Sequence, residues 1–426
     1  MERDDELSWR LSMKNENVDS VLIASILQDP PAFGIKENNF YLYDADHIAA
    51  AFKTFSMIYQ GSINKQFFAV KALANPAVMA VLAKEGSGFD CANEQEVKLV
   101  RKFLPHAEIF LTANNLTPAR LDFFVGKIAY LTVDNLELIP FLDPGQFEQV
   151  FVRVRFGGND DVRVGGHRSK FGICESQLGD ALGELRLQGY RRVGLHCMES
   201  ANVTDYNIKL AEIDKLLTLA NARANDNIRV NAINIGGGIG LDYRKTATGF
   251  SHERFSEGIK QLKEKHNLPA LAVYSEYGRV ITGPHGYLVG KVASIHKKPH
   301  TVVGLSLSTN AIPRITVYPD AYHHLSFSTL SEVTDDYDVS GNMCESSDIF
   351  CRKKQERLPV VGATAIIHDA GAHCISMANV YNGLAIPPEY MLHEGKLLKI
   401  RSEINLELLQ GTLEKTPVQN MVKESI

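Results

Sequence analysis

Residues 66–104 read QFFAVKALANPAVMAVLAKEGSGFDCANEQEVKLVRKFL. An apolar run with two phenylalanines, 66–70, leads into NPAVMAVLAKEG, 75–86, where apolar residues recur at three- and four-residue spacing. The pair then repeats: GFDCA, 88–92, precedes NEQEVKLVRKFL, 93–104. Short runs that are apolar throughout read as strands, and the three-four spacing reads as helix with one buried face. Strict alternation of strand and helix implies a parallel sheet covered by helices.

The alternation continues on the C-terminal side. EIFLT (108–112) precedes TPARLDFFVGK, AYLTV (129–133) precedes NLELIPFL, and QVFVRVRF (149–156) leads through a polar loop to ESQLGDALGELRLQG. RRVGLHC (191–197) precedes DYNIKLAEIDKLLTLANARA, VNAINI (230–235) leads through a glycine-rich loop to SHERFSEGIKQLKEKHN, and ALAVYSE (270–276) closes the series. Eight units is the number that closes a (β/α)8 barrel, with an open doubly wound sheet as the alternative. Beyond residue 282 the texture changes. YLVGKVASIHKK, TVVGLSLS, RITVYP, HHLSFSTL, YDVSGNM, GATAIIHDA and CISMAN read as strands separated by turns, with few helices. The expected architecture is α/β: a TIM-type barrel over 44–280 and an all-β domain over 281–426. The segment 1–43 contributes a strand to the β domain through NNFYLYDADHI.

Of 426 residues, 45% are hydrophobic and 22% charged, enough apolar material for a large core. A formal net charge of -5 argues against nucleic acid as a partner. No apolar run approaches the ~18 residues of a membrane span, and the acidic, polar N-terminus is unlike a secretory signal. Six cysteines in a chain this long make no disulfide framework, and there is no Cys-x-x-Cys pair for zinc. The expectation is a reduced, cytoplasmic protein that binds no metal.

Barrel chemistry sits at the C-terminal ends of the strands. There the sequence offers Lys71 after strand one, Asp90 in strand two, His196 at the end of strand six, Gly236, Gly237 and Gly238 after strand seven, and Glu276 with Arg279 at strand eight. Singly each has a plainer explanation: a solvated lysine, a helix-capping aspartate, a glycine turn. Jointly they place an amine, carboxylates, an anion-binding loop and a guanidinium on one face. Pyridoxal phosphate asks for that set: a lysine for its aldehyde, an acid facing the pyridine nitrogen, and backbone N–H groups for the phosphate.

Several further stretches carry a family resemblance. The segment 67–97, with RSKFGI, INIGGGIG, SEYGR, CESSDIF and HDAGAHCISMANVYNG in this order, resembles the fold-III pyridoxal-phosphate decarboxylases of ornithine, arginine and diaminopimelate. CESSD, DAGAHCISMANVYN and NAIPRITVYPDAYH are most similar to diaminopimelate decarboxylase. The resemblance spans about 38–400. It implies a Schiff base on Lys71, Glu276 at the pyridine nitrogen, and His196, Gly278 and the three loop glycines at the cofactor. Arg279 and Tyr381 would contact both phosphate and substrate. Arg314, Tyr318 and Arg279 would grip a distal carboxylate of the substrate, and Glu345 would accept its distal ammonium. Cys344 would act as proton donor from the partner subunit, because the family forms homodimers with shared active sites.

The stretch Asn342–Cys351, NMCESSDIFC, thereby changes from a metal or disulfide candidate into a presenting loop, with Ser346 and Asp348 shaping it and no role for Cys351. Three departures stand out. Where the family reads Gly-Leu-His-Phe-His-Val-Gly-Ser, this chain reads GLHCMESA, 194–201, so Met198 replaces a histidine and Ser200-Ala201 replaces Gly-Ser. That loop therefore lacks a glycine, and Tyr277 stands where the family has proline. Such changes fit specialisation, and the chain is also similar to the branch of the family that works in tabtoxin biosynthesis. The expected function is decarboxylation of a diaminopimelate-like amino acid. The alternatives are a non-catalytic paralogue or another carbanion fate such as racemisation.

Overall fold

The computed structural model describes residues 18–157, 169–222, 228–244, 249–318 and 321–410. Arg168, Pro319 and Asp320 of the motifs above lie outside them. The chain divides into two compact units. One comprises Ala45–His285 with Gly371–Ser376, and the other comprises the segments up to Asp44, Gly286–Ala370 and from Met377 onward.

In the first unit eight parallel strands close on themselves: Lys65–Ala69, Gly88–Cys91, Ile109–Leu111, Tyr130–Val133, Gln149–Arg155, Arg192–His196, Arg229–Asn234 and Ala272–Tyr277. Closure is made by the first and eighth strands, where Phe67 faces Glu276 and Phe68 faces Tyr277. Side chains alternate in and out along a strand, so inward residues two apart stack in layers. One layer is aromatic: Phe67, Phe110, Tyr130, Phe151 and Tyr274 meet with ring centroids 4.9–6.2 Å apart. Gly88 and Gly194 complete it by absence. A Cβ on Gly88 would overlap the ring of Phe67, and one on Gly194 the ring of Phe151. Two residues further along the same strands stand Ala69, Asp90, Thr112, Thr132, Arg153, His196, Asn234 and Glu276, a layer almost wholly polar. The aromatic layer is thus the floor on which that polar layer rests.

The second unit is a nine-stranded sheet. Its main path runs Ile349–Pro359, Leu330–Ser340, Thr301–Leu305, Gly286–Lys297, Phe40–Asp44, Glu389–His393 and Lys396–Arg401, while Thr364–Ile367 pairs with Gly286–Lys297 and with Leu325–Phe327. Phe40–Asp44 is central, buried at all five positions, antiparallel to Gly286–Lys297 and parallel to Glu389–His393. Ile23, Ile26 and Leu27 of helix Val18–Gln28 cover it, joining Phe40, Leu42, Val289 and Leu392 in one apolar cluster. No helix among the described residues is long and apolar enough to cross a membrane.

Two stretches expected as strands differ. RITVYP begins with one helical turn, Arg314–Val317, despite its β-favouring residues. Pro313 supplies the starting φ of -60°, and Val317 N donates to Pro313 O at 3.0 Å. CISMAN contains a 3-10 turn, Ile375–Met377, instead of a strand. His373 nearby has a φ of 55°, outside the strand region, and its N–H donates to Ala72 O at 2.8 Å.

Because Gly194 leaves room that Phe151 fills, Gly194→Val is expected to overpack the aromatic floor and destabilise the fold by about 1–3 kcal/mol. Urea unfolding of the ligand-free protein measures this, and an unchanged midpoint would contradict the layer assignment.

Candidate active site

The polar layer converges on Glu276, 3% exposed at the end of the eighth strand. Its Oε1 accepts from Asn234 Nδ2 at 2.7 Å and Thr112 Oγ1 at 3.0 Å, and lies 3.2 Å from His196 Nε2. Its Oε2 is buried with no hydrogen-bond partner among the described residues. Burial alone would raise this carboxyl; His196, Lys71 and Arg153 more than offset that and hold it at about 2. Burial pushes His196 the other way, below its ordinary value, against the pull of Glu276. Lys71 and Arg153 add positive charge after His196; Arg153 is buried, with its guanidinium carbon 4.4 Å from the centre of the Phe171 ring.

Lys71 follows the first strand in a 3-10 turn, Val70–Ala72. Its Nζ donates to Asp90 Oδ2 at 3.3 Å, and its side chain is 40% exposed. Desolvation would lower the lysine, but Asp90, Glu276 and Glu96 outweigh it and the net shift is upward. Asp90 is squeezed in the opposite sense to Glu276. Burial and the Glu276 charge push it up to about 7, against the pull of Lys71. Its Oδ1, like Glu276 Oε2, is buried without a partner among the described residues.

The glycine loop lies beside this cluster. Gly236 and Gly238 have φ of 62° and 89°, which side chains rarely adopt. A Cβ on Gly237 would overlap the Glu276 carbonyl, and one on Gly236 would sit 2.9 Å from Cys197 O. Gly236 N donates to Asn234 Oδ1 at 2.8 Å, whereas neither the Gly237 nor the Gly238 amide donates to an acceptor among the described residues. Gly278 lets the end of strand eight pack on the turn after strand one, where a Cβ would meet that of Ala72 at 2.7 Å. Arg279 Nη1 donates to Tyr243 OH at 2.8 Å. Met198 is half-buried, with its Cβ 3.0 Å from the place a Cβ would take on Gly236. Tyr277 does not protrude into this cluster: it is 3% exposed and its ring centre lies 5.7 Å from that of Tyr59.

These features fit pyridoxal phosphate. An ionised carboxylate with an unfilled buried oxygen suits a protonated pyridine nitrogen, Lys71 offers the amine, and two unengaged glycine amides suit a phosphate.

The other expected residues belong to the sheet unit. Arg314 is 3% exposed, and its Nη1 lies 2.5 Å from His323 Nε2. His323 Nδ1 is 2.9 Å from His368 O, which can only accept, so Nδ1 carries the proton and Nε2 receives the Arg314 donor. Tyr318 ends the same helical turn, half-buried. Cys344 and Glu345 are exposed on a loop whose shape is set by Asp348, 3% exposed. Asp348 accepts from Thr309 N at 2.7 Å and Met343 N at 2.9 Å. Ser346 N donates to Glu345 Oε1 at 2.9 Å, and Cys344 N donates to Asn382 Oδ1 at 2.8 Å, beside Tyr381, which is 53% exposed. All six cysteines are free thiols.

Thr112, Asn234 and Arg153 had not been singled out in the sequence, and Asp90 had been noted without a role. Their signal was available: each is the polar residue two places beyond an inward apolar one on a barrel strand.

The family model for the pyridoxal-binding domain of pyridoxal-dependent decarboxylases matches residues 45–283, more than half of the chain. Protein TabA of Pseudomonas amygdali pv. tabaci is 32% identical over 394 residues, covering 89% of this chain and 92% of that protein. Diaminopimelate decarboxylase of Methanothermobacter thermautotrophicus is 28% identical over 392 residues, covering 87% and 90%. Among solved structures, diaminopimelate decarboxylase from Helicobacter pylori complexed with L-lysine superposes with a TM-score of 0.80 at 24% identity, covering 90% of this chain and 100% of that one. The enzyme from M. jannaschii, also with L-lysine, gives 0.82 at 23% identity, covering 92% and 94%.

The Asp90 shift carries a pH signature. In the folded protein Asp90 stays protonated up to about pH 7, whereas unfolded it ionises near its ordinary 3.8. Its contribution to stability is therefore fully present below that lower value and lost as pH rises through the higher one. Asp90→Asn is expected to gain stability relative to wild type as pH rises from 4 to 7. Urea midpoints of the two ligand-free proteins across this range test it, and parallel profiles would contradict the assignment.

Proposed function

The chain belongs to the pyridoxal-dependent decarboxylase family, and on that footing we propose that it removes the α-carboxyl group of a diaminopimelate-like amino acid. The observation that carries the reading is Lys71 meeting Asp90 at the polar layer that also holds an ionised Glu276, whose Oε2 is unpartnered among the described residues. When bound, pyridoxal phosphate supplies the electron sink for the C–C bond that breaks as CO₂ leaves. Glu276 would favour a protonated pyridine nitrogen, and Lys71 would offer the amine for the cofactor's aldehyde. The glycine loop with Arg279 would hold the phosphate, and His196 and Gly278 would line the cofactor site.

Substrate choice is assigned to the sheet unit. Arg314, its plane fixed by His323, would form with Tyr318 a planar, charge-matched receptor for a carboxylate. A substrate without a distal carboxylate would forgo the charged contact with this receptor, which favours the dicarboxylic amino acid. Glu345 accepts the distal ammonium. Cys344 delivers the proton to the carbon that lost CO₂, and by the family resemblance it does so in the barrel of the partner in a homodimer. The altered strand-six loop with Met198, and higher identity to protein TabA (32%) than to the Methanothermobacter decarboxylase (28%), favour a modified diaminopimelate in a specialised biosynthetic pathway.

Purified protein with added pyridoxal phosphate is expected to show a visible absorption band and to release CO₂ from meso-diaminopimelate or its β- or γ-hydroxylated analogues, but not from ornithine. Lys71→Ala is expected to lose both band and CO₂. Arg314→Met is expected to raise KM by about tenfold or more, the cost of a charged hydrogen bond. Isotope exchange at the α-carbon without CO₂ release would instead favour a different carbanion fate, for which Met198 is the structural motive.

Shared sites have their own test. Lys71→Ala and Cys344→Ala, each inactive alone, are expected on mixing to recover roughly a quarter of wild-type activity, since about half the dimers are then mixed and hold one intact site. No recovery after subunit exchange would place Cys344 in its own barrel.

A further inference from the structure

Behind the glycine loop lies a charge pair that neither the cofactor nor the substrate roles use. Lys209 is 1% exposed, on the inner face of helix Tyr206–Ala222, and Glu212 one turn on is 9% exposed. Lys209 Nζ donates to Glu212 Oε2 at 2.5 Å and to Ile235 O at 3.4 Å. It stands 3.7 Å from where a Cβ on Gly238 would be. The other Glu212 oxygen accepts from Ser200 Oγ. Ser200 is also the residue whose carbonyl would block a Cβ on Gly238.

The pair therefore ties two loops to one turn of one helix. Lys209 anchors the loop after strand seven at Ile235, the residue before Gly236, and Glu212 anchors the loop after strand six at Ser200. The loops are also joined directly: Val203 N donates to Gly238 O at 2.9 Å, Gly240 N to Val203 O at 2.8 Å, and Leu241 N to Asn202 Oδ1 at 3.2 Å. Burying two charges costs several kcal/mol of lost hydration per ion, and apolar residues of similar volume often stabilise a fold as well or better. A buried pair is best explained by an arrangement it specifies, and here that arrangement surrounds the Gly237 and Gly238 amides, which are without acceptors among the described residues.

We propose that Lys209 is a positioning residue for the cofactor's phosphate: with Glu212 it fixes the spacing of the two loops so that the Gly237 and Gly238 amides face an anion. The role rests on the cofactor site described above. It touches neither substrate nor reacting atoms, and it concerns the phosphate and not the pyridine ring.

The test compares pyridoxal 5'-phosphate with pyridoxal, which lacks the phosphate, by equilibrium titration of the full chain followed by absorbance. The variants are Lys209→Met and the double variant Lys209→Met/Glu212→Leu, which removes the unpaired carboxylate that the single change would leave buried. Both variants are expected to bind pyridoxal 5'-phosphate about tenfold or more weakly, as loss of a supporting partner typically does, while pyridoxal affinity changes by less than about twofold. The double variant is expected to regain thermal stability over the single one without regaining phosphate affinity. Wild-type-like binding of pyridoxal 5'-phosphate by the double variant, equal weakening of both compounds, or failure of the double variant to fold would each overturn the proposal. Wild-type protein that bound neither compound would overturn the cofactor site as well.

Discussion

Glu276 is a carboxylate held in charged form inside a barrel, and the surrounding architecture is what makes that possible. Below it, the aromatic floor of Phe67, Phe110, Tyr130, Phe151 and Tyr274 excludes water from the barrel's lower half. Around it, Asn234 and Thr112 supply donors, and Lys71 and Arg153 supply positive charge. The same electrostatics forces Asp90, a second carboxyl in the same layer, toward its neutral form near pH 7. Two acids buried in one layer cannot both ionise cheaply, so their environments push them apart. The division gives one acid fixed as an anion and another able to exchange a proton beside the lysine.

The barrel was legible in the sequence because its signal is redundant. Eight apolar strands, the first seven each followed by an amphipathic helix, leave few other architectures, and Lys71, His196, Glu276 and the glycine triplet sit where strands end. What was not legible depends on pairing. Thr112, Asn234 and Arg153 are ordinary residues in sequence and become a network only when barrel closure sets Phe67 opposite Glu276. The helical turn at Arg314–Val317 was obscured for a different reason. Ile315, Val317 and Tyr318 favour strands, but Pro313 fixes the entry and a single turn needs only local hydrogen bonds.

The loop Asn342–Asp348 shows how a short polar stretch can look like several things at once. Its density of cysteine and carboxylate suggested ligation, whereas the structure gives Asp348 a buried bracing task and leaves Cys344 and Glu345 exposed at the tip. Of two nearby acids, Asp348 is buried and accepts two backbone amides from across the loop, while Glu345 is exposed and accepts from its neighbour Ser346. Burial separates them where composition could not.

The central place of Phe40–Asp44 in the sheet has a consequence for how the protein is made. This fully buried strand leaves the ribosome before both of its partners, Gly286–Lys297 and Glu389–His393. At ordinary synthesis rates of about 5–20 residues per second, the later partner follows roughly tens of seconds behind. Throughout that interval the nascent chain carries an apolar segment with unsatisfied backbone edges while the barrel assembles beyond it. A strand that ends up fully buried thus waits through that interval for its later partner, a stretch of translation in which a chaperone has reason to bind it.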